Sequence, residues 1–213
     1  MMLNTLKHKV ARKIFVIVIA VLFPVCAASQ SDGRQFTSFS NFNLNVGTLT
    51  DVQSVLGSAT LVETGEAGEY ETSICYRLPG GLIYFLSGEM GGHDLTLLGF
   101  GISELDTRKP CVRWPQNVAP PILQIGKLRV GMTVDEFSKI TKGDIKWTGD
   151  VARVFYETKR KFTEKEISNF NTEMQIGIKN GSQQNYFDSQ VALVAEFRNK
   201  KLVEVKIWKT ETL

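Results

Sequence analysis

The sequence predicts an α+β protein made of two small domains in tandem, each a helix followed by an antiparallel β-meander. Three observations predict it. Apolar and polar residues alternate along several short segments, which is typical of half-buried strands. Glycine and proline turns separate these segments, and a threonine precedes each of two short helical patterns, as at a helix N-terminus. The same order of helix and strands occurs twice along the chain, which predicts a repeat.

The first 28 residues have the pattern of an export signal. Four basic residues lie within 7–13, an apolar run follows from Ile14 to Phe23, and small residues stand at 26–28. This layout predicts a signal peptide at 1–28 and a periplasmic or secreted protein without a transmembrane anchor after cleavage. Retention as an anchor is an alternative, although the run is shorter than the roughly 20 residues that span a bilayer. Lipid attachment at Cys26 is a second alternative.

Charge is unevenly distributed once the leader is removed. The whole chain of 213 residues carries a formal charge of +3, and residues 29–213 carry −1. Residues 29–105 have a net charge of −7, whereas residues 106–213 have +6. Two such halves either attract each other, or offer a face to a charged partner, or are separately solvated. The near-neutral sum and the export signal argue against nucleic acid as a partner.

The first repeat is expected at 46–105, after a flexible arm at 29–45 whose phenylalanines are able to dock on it. Thr48 or Thr50 caps a short helix that ends at Gly57. Strands are predicted at three places thereafter: 72–78, 82–87 and 95–103.

A proline-rich linker is predicted at 106–124, and it leads into the second repeat at 125–213. In that repeat Thr133 and Glu136 form a capping box for a helix, and Thr163 caps an inserted helix. Strands are predicted at four places: 144–147, 151–158, 191–197 and 202–209.

Two cysteines remain after the leader, Cys75 and Cys111. An even count in an oxidising compartment predicts one disulfide, which would join the linker to the first predicted strand. Free thiols are the alternative.

Two segments resemble a known module. Leu128–Ile140 (LRVGMTVDEFSKI) resembles the Gly-Met-Thr-x-x-Glu-Val opening of the small lipoprotein of the outer-membrane β-barrel assembly machine. It also resembles the half-unit of the β-lactamase inhibitor protein family, in which two helix-plus-sheet domains stand in tandem. Val46–Ser58 (VGTLTDVQSVLGS) matches more loosely. The resemblance implies a binding module whose sheet faces and loops present side chains to another protein.

We therefore predict an exported, non-enzymatic protein-binding module of the bacterial cell envelope. Its partner would be another envelope or extracellular protein. The candidate binding residues are aromatic and cationic side chains of the second repeat, the types enriched at interface hot spots: Trp147, Arg153, Tyr156, Lys206 and Trp208. The alternative for the aromatic residues is that they fill the core.

An envelope hydrolase is the second functional hypothesis. It would use acidic residues or His93 in a cleft between the domains. His93 lies in Gly91-Gly92-His93-Asp94, which is typical of an exposed turn, and Glu63, Glu66, Glu69 and Glu71 alternate with glycine as in a solvated loop. No cofactor, metal site or catalytic residue is predicted.

Overall fold

The computed structural model describes residues 33–66, 68–104, 106, 110–169 and 186–212. The predicted signal peptide and Cys26 lie outside the described residues. The described strands are β1 (Ser38–Phe39), β2 (Phe42–Asn43), β3 (Val62–Thr64), β4 (Glu71–Leu78), β5 (Gly81–Gly88), β6 (Gly99–Ser103), β7 (Val112–Arg113), β8 (Ile145–Thr148), β9 (Val151–Lys161), β10 (Tyr186–Arg198) and β11 (Lys201–Thr212). The described α-helices are α1 (Leu49–Leu56), α2 (Val134–Thr141) and α3 (Glu164–Asn169).

The fold is α+β, as predicted. Eight strands follow the order β3-β4-β5-β6-β11-β10-β9-β8 in one sheet, and every neighbouring pair is antiparallel. The short β7 pairs with β4 in parallel and brings the sheet to nine strands. We call β3–β6 the first half and β8–β11 the second half. The two halves join where β6 pairs with β11, so they share one sheet; that each half is a domain of its own stays a prediction.

Helices α1 and α2 begin as the sequence predicts. Thr48, and not Thr50, caps α1, and Asp51 completes a capping box there. Thr133 and Glu136 form the predicted box at α2. Hydrogen bonds from the backbone and side chain of Thr133 lower the pKa of Glu136. Each helix therefore starts at a fixed residue, which sets the apolar side that it turns toward the sheet.

One buried cluster lies between the helices and one face of the sheet, and it includes residues of both halves. We call this the helix face and the opposite one the open face. The described part of the predicted arm, residues 33–45, contributes Phe36, Phe39 and Leu44, each at most 2% exposed. The ring of Phe36 lies 5.7 Å from that of Tyr156, and Phe39 lies 6.1 Å from Phe85. The arm therefore docks on both halves, the docked alternative that the sequence left open.

The proline-rich linker runs along the edge of β4. Cys111 is bonded to Cys75, which confirms the predicted disulfide and fits an oxidising compartment. The amide of Trp114 donates to the carbonyl of Arg77, and the Trp114 ring packs edge-on against Tyr76. Burial raises the pKa of Tyr76 to about 12. The linker is thus fixed to β4 by covalent, backbone and aromatic contacts.

A charged cluster holds α3 against the end of the sheet. Arg160 donates to Glu166 of α3 and to Glu211 of β11, and its guanidinium lies 4.6 Å from the centroid of the Phe187 ring. These hydrogen bonds lower the pKa of Glu166 to about 2. Burial raises the pKa of Glu211, but hydrogen bonds from Arg160 and Lys209 outweigh it, so the net shift is downward. None of the described helices is long and apolar enough to cross a bilayer.

Candidate functional site

Strand parity divides the five candidate residues between the two faces of the sheet. Successive side chains of a strand point to opposite faces, and paired residues of neighbouring strands share a face. Tyr156 pairs with buried Val191, and Trp147 pairs with buried Ala152, so both lie on the helix face. The other three candidates lie on the open face: Arg153, Lys206 and Trp208.

Tyr156 belongs to the core. It is 5% exposed, and its hydroxyl donates to the carbonyl of Thr141 at 2.7 Å. Burial raises the pKa of this hydroxyl. Trp147 lies at the sheet edge, 43% exposed, with its ring 5.4 Å from that of Phe197. Neither side chain therefore shares a surface with the open-face candidates, and the core alternative describes Tyr156.

An aromatic row crosses the open face of the second half. Trp208 of β11 pairs with Ala192 of β10, and Ala192 pairs with Phe155 of β9. Because neighbouring strands lie about 4.8 Å apart, the two aromatic residues stand about 10 Å apart with only a methyl group between them. Phe155 is 42% exposed, and Trp208 and Ala192 are half-buried. The row forms a shallow apolar trough, which we call the aromatic trough.

Phe155 was not among the predicted residues, although the sequence carried a signal for it. In the segment Val151–Tyr156, Arg153 and Phe155 occupy one parity and Ala152, Val154 and Tyr156 the other. A consistent alternation would have placed Phe155 beside Arg153 and Tyr156 in the core.

Glycine makes room for Trp208 where it meets the first half. A Cβ atom on Gly99 would stand 3.0 Å from Cε3 of Trp208, which is closer than such contacts normally are. Trp208 also packs against a second buried cluster on the open face of the first half, formed by Cys75, Leu82, Tyr84, Leu86 and Cys111. The indole therefore stands at the boundary between the covered and uncovered parts of the open face.

Cationic side chains lie along one side of the aromatic trough. Lys206 Nζ contacts both carboxylate oxygens of Glu71, at 2.8 and 2.9 Å. Arg153 donates to the hydroxyl of Thr148 at 3.3 Å, and its neighbour across the strand pair is Lys146. No carboxylate of the described chain forms an ion pair with Arg153 or Lys146. These two charges are thus available to an acidic partner.

A polar groove of about 660 Å³ lies on the other side of the trough. Its lining residues carry carboxylate, ammonium, amide and hydroxyl groups: Glu157, Thr158, Lys159, Asp188, Ser189, Gln190, Thr210 and Thr212. Lys159 Nζ lies 3.6 Å from Asp188, and Gln190 donates to Glu157 at 3.5 Å. Four of the eight lining residues thus stand in two pairs, and the groove presents both donors and acceptors.

The residues named for the hydrolase hypothesis, His93 and the four glutamates of the acidic loop, lie away from the polar groove. His93 is exposed in a turn, and Glu63, Glu66 and Glu69 are exposed as well. Glu71 is occupied by Lys206. None of these residues lines the polar groove. The described residues contain no group of three or more side chains able to hold a metal ion.

Comparison with known proteins gives distant likenesses. No family model matches the chain, and no curated protein matches it. An extracellular protein containing an SCP domain from Bacillus anthracis str. Ames is 10% identical, with a TM-score of 0.33 over 80% of this chain and 48% of that one. The chain thus spans about half the length of that protein.

A "putative beta-lactamase inhibitor protein" from Streptococcus mutans is 12% identical, with a TM-score of 0.24 over 83% of this chain and 89% of that one. A protein described in the terms of the family that the sequence resembles is therefore among the structural neighbours. Both TM-scores are too low to define a shared fold or to support the tandem repeat.

Proposed function

We propose that the chain is an exported, non-enzymatic protein-binding module that uses the open face of β9, β10 and β11. The observation that carries the proposal is the aromatic trough, formed by Trp208, Ala192 and Phe155 and left half-exposed on the open face. In the first half the same face of the sheet is buried. Exposed aromatic side chains gathered on one surface favour an interaction site over a solvated surface.

The surroundings of the trough match the anatomy of a protein interface. Such interfaces have an apolar centre and a polar rim in which arginine is frequent. Here the rim consists of Arg153 and Lys146 on one side and the polar groove on the other. An apolar side chain of the partner would enter the trough over Ala192, and acidic side chains would contact the two cations. The partner is expected in the envelope or outside the cell, because the leader predicts export.

A trough-filling variant tests this proposal. Ala192→Arg places a long side chain between Trp208 and Phe155 on a half-exposed surface, so the fold should be retained. Lys139→Glu on the exposed side of α2 is the matched control, because it changes a surface charge on the helix side of the molecule. The exported chain and both variants would be immobilised and exposed to envelope extract, and each captured protein would then be titrated in purified form.

We expect a partner that binds the wild-type chain and Lys139→Glu and that loses at least about tenfold in affinity for Ala192→Arg, as for a hot-spot position. Equal binding by all three chains would contradict the proposed face. Turnover of an ester or glycan substrate without any bound protein would favour the hydrolase instead.

A further inference from the structure

Among the described residues, no strand covers the edge of β9 beyond Val154. β9 spans Val151–Lys161, but β8 pairs only with residues 151–154. Residues 155–161 pair with β10 on one side, and no backbone hydrogen bond from any other described residue reaches them on the other side. An edge of this kind offers a row of unpaired N–H and C=O groups to another strand.

The hairpin between β8 and β9 shows which residues offer these groups. Thr148 pairs with Val151 across the two-residue turn at 149–150, so the backbone of Val151 and of every second residue after it turns toward the β8 side. In agreement, the carbonyl of Asp150 points toward β10 and accepts a hydrogen bond from the backbone N–H of Phe197 at 2.9 Å. The outward-facing groups of the free segment therefore belong to four residues: Phe155, Glu157, Lys159 and Lys161. Of these groups, the carbonyl of Lys161 also accepts from the guanidinium of Arg160 at 3.3 Å.

We propose that this edge pairs antiparallel with the same edge of a second copy of the chain, on a two-fold axis at Thr158. In that register Glu157 of each copy lies opposite Lys159 of the other. Both residues have outward-facing backbone groups, so each such pair exchanges two hydrogen bonds. The interface is self-complementary, as a two-fold dimer requires.

The charges of the residues that face each other favour an axis at Thr158 over axes at the adjacent residues. An axis at Glu157 would set glutamate against glutamate, an axis at Lys159 would set lysine against lysine, and an axis at Arg160 would set Lys159 against Lys161. Like charges directly opposite each other destabilise a strand pair, and opposite charges stabilise it. Lysines commonly protect an edge from pairing. Of the axes at residues 157 to 160, the one at Thr158 places no charged residue opposite another of like charge.

The ends of the free segment suit a pairing of this length. β8 covers the strand as far as Val154. Beyond Lys161 the chain leaves the sheet, because Phe162 is 5% exposed and α3 begins at Glu164. One strand pair of seven residues is a small interface. We therefore expect a reversible, concentration-dependent dimer.

Sedimentation equilibrium of the exported chain tests the proposal through charge. Glu157→Lys would set two lysines opposite each other twice and weaken the dimer about tenfold or more. The swapped variant Glu157→Lys with Lys159→Glu would restore the original affinity. Glu196→Lys is the control, since it makes the same charge change on exposed β10 away from the edge and should leave the dimer unchanged.

The axis itself is tested by cross-linking. Thr158→Cys would face its own copy across the axis at a Cα separation of about 4.5 Å, which suits a disulfide. Glu196→Cys is the control, because it is exposed on β10 away from the edge and leaves the facing Glu157 and Lys159 in place. Mild oxidation should link the first variant and not the second.

A chain that stays monomeric at the highest attainable concentration, a swap that fails to restore binding, or a Thr158→Cys chain that does not cross-link would each overturn the proposal. None of these results depends on the partner proposed for the open face.

Discussion

β5 and β10 occupy the same place in the two halves, as the third strand after each helix, yet they are buried differently. In β5 both faces are buried, so Leu82 and Leu86 on the open face are as inaccessible as Phe85 on the helix face. In β10 burial alternates, with Leu193 buried and its neighbour Val194 half-exposed. The first half thus has a cover on its open face, whereas no described segment buries the open face of β10 in the same way.

The cover of the first half comes from outside its own meander. Cys111 belongs to the linker, and Trp208 belongs to β11 of the second half, and both pack on the open face of β4–β6. In each half a helix, α1 or α2, packs on the helix face. A helix-side core therefore forms in both halves, whereas burial of the open face depends on elements outside each helix-plus-strand unit.

The largest difference in the free energy of unfolding should appear when one phenylalanine is removed from each half. Phe85 is fully buried and touches the rings of Phe39, Phe42, Tyr76 and Phe100. Phe85→Ala should lower the free energy of unfolding by about 3–5 kcal/mol, because it removes burial and leaves a cavity. Phe155→Ala on the open face should lower it by about 1 kcal/mol, since this residue is already 42% exposed. Urea unfolding of both variants measures this, and equal losses would contradict the comparison.

The disulfide gives the next largest effect. Replacing both cysteines by serine releases a loop with a sequence separation of 36 residues and should cost about 3–4 kcal/mol on the loop-entropy model. The loss should also loosen the cover of the first half. Hydrogen exchange should therefore accelerate more at β5 amides than at β10 amides. Equal acceleration in both strands would show that the linker stabilises the whole sheet and not one half.

The local features of this comparison were accessible from the sequence, and the long-range ones were not. The capping box at Thr133 and Glu136 and the disulfide were predicted because each rests on residue types and spacing. The pairing of β6 with β11 joins segments about a hundred residues apart, and no local pattern records it. The docking of Phe36 depends on the same tertiary arrangement, since its partner Tyr156 is remote in sequence.

Part of the candidate site was predicted from the sequence. The alternation of side chains between the two faces of each strand was not used, and it separates the candidates. Arg153, Lys206 and Trp208 share the open face, whereas Tyr156 is buried by its alternation with Arg153. Composition alone favoured every aromatic residue of the second half equally. The sequence also did not predict that the open face of the first half is buried. Part of its cover comes from the linker, whose prolines indicated only irregular structure.

Acid should affect the second half before the first. Hydrogen bonds from Arg160 hold the pKa of Glu166 at about 2, below its ordinary value of 4.5. Because the folded-state pKa is depressed, this contact stabilises the folded chain above about pH 4.5, and the stabilisation is lost as the pH falls toward 2. The protection factors of the α3 amides, which correct for the intrinsic pH dependence of exchange, should therefore fall between pH 5 and pH 2, with roughly this window set by the two pKa values. Glu166→Gln should remove the pH dependence at α3, and an unchanged dependence would assign it to another group.

The smallest effect concerns the charges that join the halves. Lys206 of the basic second half contacts Glu71 of the acidic first half at 2.8 Å, with both side chains partly buried. A double-mutant cycle of Lys206→Met and Glu71→Gln should give a coupling energy of about 0.5–1 kcal/mol. Arg198 and Glu104 also join the halves, but they lie 3.7 Å apart and are 65% and 51% exposed, so their coupling should be close to zero. Urea unfolding at low and high salt measures both. Similar, strongly salt-dependent values for the two pairs would mean that the halves attract through their overall charge, whereas a coupling confined to Lys206 and Glu71 places the attraction in one contact beside the aromatic trough.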